Sequence, residues 1–479
     1  MSTTEAPAVP ASDGARFDAE HWRQRLAELA AKHGVPGAQL GIFRLGADGA
    51  PDEQLVVSHG HLHVPAQIPV SDDAVFQIGS ISKVWTATVA MQLVDEGLIS
   101  LDTPIVEALP DFELADMDVA RTVTLRHLLT HTSGIDGDVF TDTGRGDDNL
   151  EKYVALLKEQ TQNHPIGATW SYCNAGFSLV GRVIEKLTGK AWDTAMRERL
   201  YAPLGLKATG TLPEEAILHP AAVGHNVAED GTATVVPVWS LPRPLGPAGL
   251  ITCPVGDLLS FARMHLAGGL AADGTRVLSE AAVAEMASKQ AELPDPYTLG
   301  DSWGVGWIRF DWSGHRLIGH DGNTIGQAAF LRLLPEAGLA VGLLTNGGHT
   351  RDLYMDLYRE IFSELAGVEM AQPLQPVEGA VGDITSHVGT YERASVRIEI
   401  EAPAEEGGRP VLRMTPLGLL AELEDDPGTD FELHPVEGDD LWVTREPGTE
   451  TWMAVTFYEL PGGEQYVHLG ARATPKKAA

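Results

Sequence analysis

Between residues 368 and 384 the chain loses the periodicity of helix or strand, and Pro373, Pro376, Gly379 and Gly382 interrupt it repeatedly. A stretch of this kind is a linker, and it constrains the fold because the texture differs on its two sides. Upstream, helical and strand patterns are mixed. Downstream, short apolar runs follow one another between turns, at 389–391, 396–401, 411–415, 419–423, 431–434, 441–445, 452–457 and 464–469. About eight short strands are enough for a small antiparallel barrel. The expected order is therefore a disordered Ala, Pro, Ser and Thr-rich tail (1–15), a large mixed domain (16–367), a linker (368–384) and a small β domain (385–473).

Within the large domain, Trp22, Leu26 and Leu29 share one face of a predicted helix over 17–33, which Gly34 ends. Strands are expected at 38–45 and 54–59. Helices are expected at 84–97, 123–129, 153–157, 175–187 and 255–265. The segment 136–149 reads as a loop, and 205–248, rich in Gly and Pro, shows no clear pattern. Three strands follow at 305–310, 328–334 and 339–345, the last two joined by a hairpin across 335–338. Leu353, Leu357, Ile361 and Leu365 mark a closing amphipathic helix.

The 479 residues include 43% apolar ones, as in a globular protein, and carry a net charge of -33. That charge repels phosphate backbones and anionic lipid, which argues against nucleic-acid or membrane-surface partners. No apolar run approaches the ~18–20 residues of a membrane span. The N-terminus shows no secretory pattern, so a cytoplasmic location is expected. Cys173 and Cys253 build no disulfide framework and fit a reducing compartment, with one bridge left open. The histidines lack metal-ligand spacing, and neither metal nor cofactor is expected.

Four short motifs carry chemistry. Ser80 and Lys83 stand three residues apart at the start of a predicted helix, so hydroxyl and amine share a face as nucleophile and candidate base. A helix N-terminus also favours developing negative charge. Tyr172-Cys173-Asn174 places a phenol and an amide at the mouth of a second helix. His320-Asp321-Gly322 ends a short apolar segment, 317–319, where a glycine lets a substrate backbone lie against the strand. Leu128-Leu129-Thr130-His131-Thr132-Ser133-Gly134 is the fourth. Each alone has an ordinary reading: a half-buried tyrosine, an N-cap asparagine, a loop histidine, a helix end.

Together and in this order, the motifs resemble the superfamily of penicillin-binding proteins and class C β-lactamases, over residues 20–365 or so. The resemblance implies an α+β fold: an antiparallel sheet formed from both ends of the domain, flanked by helices, with a helical lobe between. It implies that Ser80 attacks an acyl carbon, Lys83 accepts its proton, Tyr172 relays that proton, and Asn174 orients Lys83 and the substrate amide. The N–H groups of Ser80 and Asn323 would form the oxyanion hole, with His320 as a further catalytic residue and Asp321 and Gly322 against the substrate. The late triplet departs from the Lys-Thr-Gly of penicillin targets, because a histidine carries charge only when protonated. It is more similar to the esterase and D-aminopeptidase branches.

Some members of the superfamily carry a C-terminal lipocalin-like barrel beside the cleft, including D-amino-acid peptidases and penicillin-binding-protein-type thioesterases. By that resemblance, Arg472 or Trp239 would hold a peptide end. The expected function is a serine hydrolase or acyltransferase acting on esters or amides of small, D-residue-containing peptides. One alternative is a thioesterase that releases and macrocyclises nonribosomal peptides from a carrier-bound thioester; another is an inactive binding protein on the same scaffold.

Overall fold

The computed structural model describes residues 17–478 apart from 48, 406, 419–420, 422–427 and 447–448. The expected tail at 1–15 and, save Ala421, the expected strand at 419–423 lie outside the described residues.

A nine-stranded antiparallel sheet organises the large domain. Its order is Ile68–Pro69, Glu53–His63, Gly37–Arg44, Leu339–Thr345, Gln327–Leu334, His315–Thr324, Ile308–Trp312, Ser302–Trp303, Ala291–Glu292. Leu40 pairs with Leu343, so the sheet is joined at its centre by the two ends of the domain. Gln327–Leu334 and Leu339–Thr345 are buried along their whole length, because both faces of the sheet are covered. On one face lie the helices Ala19–Lys32 and Thr350–Ala366, around Trp22, Leu26, Leu357 and Ile361. The other face carries the helical lobe: Ser82–Asp95, Asn174–Thr188 and Val255–Leu266 among its helices.

Ser82–Asp95 runs through the core. Every residue from Ser82 to Leu93 is buried, and Trp85 stacks on Phe261 with centroids 4.3 Å apart. A helix buried on every side has no solvent face, and its polar Thr86, Thr88 and Gln92 bond inward instead. The 310 turn Gly79–Ile81 leads into it. The unpatterned segment 205–248 holds a short helix, Pro213–Ala216, and a small hairpin, His225–Val227 with Ala233–Val235.

Two strands differ from expectation. The strand expected at 305–310 is Ile308–Trp312, because Gly306 adopts φ +78° and donates its N–H to Leu129 O, in the helical lobe. His315–Thr324 is a ten-residue strand, not a short segment; Gly322 and Asn323 pair with Ala329 and Ala328.

Downstream of residue 366 no helix or strand forms until a 310 turn at Thr385–His387. Then come a four-stranded sheet, built from Gly389–Arg393, Val396–Glu401, Val411–Pro416 and Thr429–Glu432, and a five-stranded sheet, built from His434–Glu437, Leu441–Thr444, Met453–Glu459, Gln465–Leu469 and Arg472–Pro475. The single strand expected at 431–434 breaks at Leu433 and changes sheet there. Both sheets close on one core containing Tyr391, Leu412, Trp442 and Phe457. Among the described residues, an isolated bridge from Tyr391 to Lys476 joins the first strand to the end of the last. The strand pairing among the described residues is thus two sheets rather than the closed barrel expected from the sequence. These sheets lean on the segment that carries Tyr172: Tyr466 Oη donates to Asn163 O, and Ala473 N donates to Ser171 Oγ.

Candidate active site

Ser80 sits in the 310 turn just before the buried helix, and Lys83 is that helix's second residue. Lys83 Nζ lies 3.0 Å from Ser80 Oγ and donates to Ala248 O at 2.7 Å. The side chain is fully buried, and Nζ stands 4.7 Å from the centre of the Tyr172 ring. Burial holds the Lys83 amine well below the usual lysine range, and the Arg472 guanidinium lowers it further. The amine is thus held against the hydroxyl with its charged form disfavoured.

Tyr172 is held from three directions. Its N–H donates to Ala471 O, His131 stacks on its ring at 4.3 Å, and Arg472 Cζ lies 5.0 Å over the ring. Its hydroxyl is buried with no well-aligned hydrogen bond. Burial pushes the phenol well above its usual range, against the opposing pull of the Ser80 hydroxyl, so the group keeps its proton at neutral pH. Cys173, rather than Asn174, caps the following helix, its Sγ accepting from Gly176 N. Neither Cys173 nor Cys253 is in a disulfide.

The strand His315–Thr324 forms the opposite wall. Gly322 and Asn323 run against residues 78–80: a Cβ on Gly79 would meet Asn323 N at 2.6 Å, and one on Gly322 would meet Ile78 O at 1.9 Å. Gly79 also needs its positive φ of +51° to bring Ser80 to this edge. The backbones of Ser80 and Asn323 are therefore neighbours. His320 Nδ1 donates to Asp321 O, which leaves Nε2 an acceptor; that buried atom has no hydrogen-bond partner. Burial pulls His320 down to about 3, and neighbouring Lys83 adds to this, so the ring is neutral near pH 7.

Ser80, Tyr172, Asn174, His320, Asn323 and Arg472 all line one cleft of about 1350 Å³. Three sequence-based roles change. The Asn174 amide donates to Asp138 Oδ1 at 3.0 Å and makes no hydrogen bond to Lys83, whose second anchor is Ala248 O instead. Asp321 lines the cleft as expected, but its carboxylate pairs with buried Arg332 at 2.6 Å. Trp239 does not line the cleft: its indole donates to Ala222 O at 2.8 Å, and its carbonyl accepts from Gln77.

Asp138 was not singled out by the sequence, yet it joins both halves of the site. Its carboxylate accepts from Asn174, from Arg393 at 2.6 Å and from Arg472 at 2.9 and 3.2 Å. Burial alone would raise its pKa; Arg472 and Arg393 hold it well below the carboxylate range. Neighbouring Asp136 accepts from Ala394 N at 2.7 Å. Among the described residues no cluster of His, Cys, Asp and Glu could hold a metal ion, and no helix is long and apolar enough to cross a membrane.

A serine and a buried lysine on one helical turn, a Tyr-x-Asn mouth and a closing strand edge are joined by one comparison. Residues 22–364 match the family model described as Beta-lactamase. The chain belongs to the beta-lactamase family. It is 45% identical to Penicillin-binding protein 4 of Amycolatopsis lactamdurans over 381 residues, which covers 79% of this chain and 98% of that protein. The crystal structure of SurE aligns over 96% of this chain and 99% of its own, at TM-score 0.74 and 28% identity, so the likeness to SurE extends past the linker into the C-terminal sheets. A D-stereospecific amidohydrolase from Streptomyces sp. aligns over 73% of this chain and 99% of its own, at TM-score 0.56 and 27% identity. This beta-lactamase family is one of serine hydrolases, with penicillin-binding proteins and amidases among the matches.

Proposed function

We propose that the protein is a serine acyl-enzyme hydrolase or acyltransferase that opens ester or amide bonds of small peptides bearing D-residues. The observation that carries this is the 3.0 Å contact between Ser80 Oγ and a fully buried Lys83 amine whose charged form is disfavoured. Lys83 takes the hydroxyl proton as Oγ attacks the acyl carbon. The N–H groups of Ser80 and Asn323 receive the oxyanion. Tyr172, still protonated, relays the proton held by Lys83 to the leaving group; in the second step a proton from the acceptor returns through Tyr172 and Lys83 to Ser80 Oγ as it leaves. Neutral His320 offers Nε2 as an acceptor to a substrate N–H or O–H. SurE has been solved with D-Leu, and the Streptomyces relative is D-stereospecific, which supports a D-residue at the scissile bond.

A second reading, a thioesterase that macrocyclises a carrier-bound peptide, is favoured by the cleft. It has room for a peptide, and Phe140, Leu241, Leu245 and Leu250 give it apolar walls. Such walls thin out water around an acyl-enzyme and let an internal amine compete. On this reading the two C-terminal sheets act as a lipocalin-like unit that closes one side of the cleft.

A fluorophosphonate probe should label the wild type at Ser80, with Ser80→Ala unlabelled and Lys83→Ala slowed by roughly 10²–10⁴-fold. An unlabelled wild type would leave only a binding role. A peptidyl thioester then separates the two enzymatic readings: cyclic product by mass supports the cyclase, and linear acid alone excludes it.

A further inference from the structure

Two cationic side chains converge on one phenol. Lys83 Nζ lies 4.7 Å from the centre of the Tyr172 ring, and Arg472 Cζ lies 5.0 Å from it. At a largely buried site, two positive charges drawn to one ring disfavour each other. A guanidinium does not surrender its proton. The amine must.

Arg472 is fixed where it stands. Its Nε and Nη2 donate to Asp138, and its Nη1 donates to Gly470 O. It follows a two-residue hairpin turn, Gly470 at φ +56° and Ala471 at φ +67°, between paired Leu469 and Arg472. The same turn accepts the Tyr172 N–H through Ala471 O. All three guanidinium nitrogens thus have protein acceptors, which is the arrangement of a strut rather than of a side chain waiting for a ligand.

Asp138 does not cancel that charge, because it divides itself between Arg472 and Arg393. The other groups facing Lys83 are neutral. They are the Ser80 hydroxyl, the buried Tyr172 phenol, the Cys173 thiol (pushed by burial to about 12), and the buried imidazoles of His131 and His320. Burial sets the amine low, and the charge balance on top of it is Arg472 against Asp138.

We infer that Arg472, anchored by Asp138, is a positioning residue that keeps the Lys83 amine free of its proton. On this inference the C-terminal hairpin tunes the base of a site whose nucleophile and base lie in the other part of the chain. It rests on the reading of Lys83 as the base for Ser80.

The test is the pH dependence of Ser80 labelling by a neutral fluorophosphonate, in wild type, Arg472→Lys, Arg472→Gln and Asp138→Asn, with thermal melts to check folding. The wild type should show an acid limb as Lys83 becomes protonated. Arg472→Gln should move that limb up by about one pH unit. Its labelling should then fall about tenfold below the limb and recover above it. Arg472→Lys keeps the charge and should keep the limb. Asp138→Asn removes the opposing charge and should move the limb down; if it does not fold, the Arg472 pair still decides. Coincident limbs for wild type and Arg472→Gln would overturn the inference. So would an equal loss at every pH in both Arg472 variants, which is the mark of a purely structural strut. An effect of Arg472→Gln confined to KM for carboxylate-bearing peptides would also overturn it, in favour of a substrate contact. A wild type that is not labelled at Ser80 overturns the underlying reading of the site, a distinguishable result.

Discussion

One methyl group at Gly322 would land 1.9 Å from Ile78 O and 3.0 Å from Ser80 N. Both neighbours are backbone, so nothing there can swing aside. Gly322→Ala should force the strand away from the nucleophile's turn, costing about 1–3 kcal/mol of stability. It should also slow Ser80 labelling more than tenfold, on the order expected for losing one oxyanion donor. Wild-type labelling and melting in this variant would show that the two backbones are not in register. At this scale the sequence was readable where chemistry sits at local spacing: Ser80 with Lys83 on one turn, Tyr172 at a helix mouth, His320 beside a glycine. It was silent on Asp138. That residue lies in a Gly- and Asp-rich loop, and its meaning comes from Arg393 and Arg472, which are 255 and 334 residues away. The bond between the Asn174 amide and Asp138 was illegible for the same reason.

The hairpin Gln465–Leu469 and Arg472–Pro475 places its turn against the site, with Gly470, Ala471 and Arg472 lining the cleft. Two positive φ values in a two-residue turn suit Asn-Gly better than Gly-Ala. Replacing Gly470-Ala471 by Asn-Gly should preserve labelling of Ser80 within about twofold, because the turn type is kept. Inserting one residue there turns the strand's side chains to the other face. It should displace Arg472 from Asp138 and lower labelling well beyond that range; full activity in the insertion variant would show that the hairpin is only a neighbour. Arg472–Pro475 escaped the sequence reading because Arg-Ala-Thr-Pro has no apolar alternation; pairing with Gln465–Leu469 makes it a strand. The outer half of His315–Thr324 escaped likewise: Asp, Gly, Asn and Thr are extended there by their partner strand, not by propensity. Fully buried runs such as 339–345 were legible, because burial on both faces writes itself as continuous apolar sequence.

Across the whole molecule, His131, His265, His320 and His468 are buried, and burial is the leading cause that holds each imidazole below its usual range, His265 and His320 to about 3 and His468 to about 4. Unfolded, each would titrate near 6.5. Between these values the unfolded chain binds the extra protons, so stability rises with pH and is lost as pH falls from about 6.5 toward 4. The slope approaches about 1.4 kcal/mol per pH unit for each such histidine. Urea midpoints should therefore drop steeply between pH 7 and pH 5, and a flat profile would mean the imidazoles are solvated. Repulsion among the surface charges, with a net of -33, should in turn make the thermal midpoint rise on adding salt.

The pairing of Leu40 with Leu343 at the centre of the main sheet has a consequence in time. During synthesis the first hairpin emerges with its inner edge bare, and its partner strand does not exist until some 300 residues later. At ordinary translation rates that wait is on the order of tens of seconds. The Ser80 turn, the buried lysine helix and the Tyr172 mouth emerge during this interval without the strand that closes them. The hairpin bearing Arg472 arrives later still. A nascent chain of this protein therefore carries a half-made sheet, and the cleft around Ser80 is assembled only as the late strands leave the ribosome.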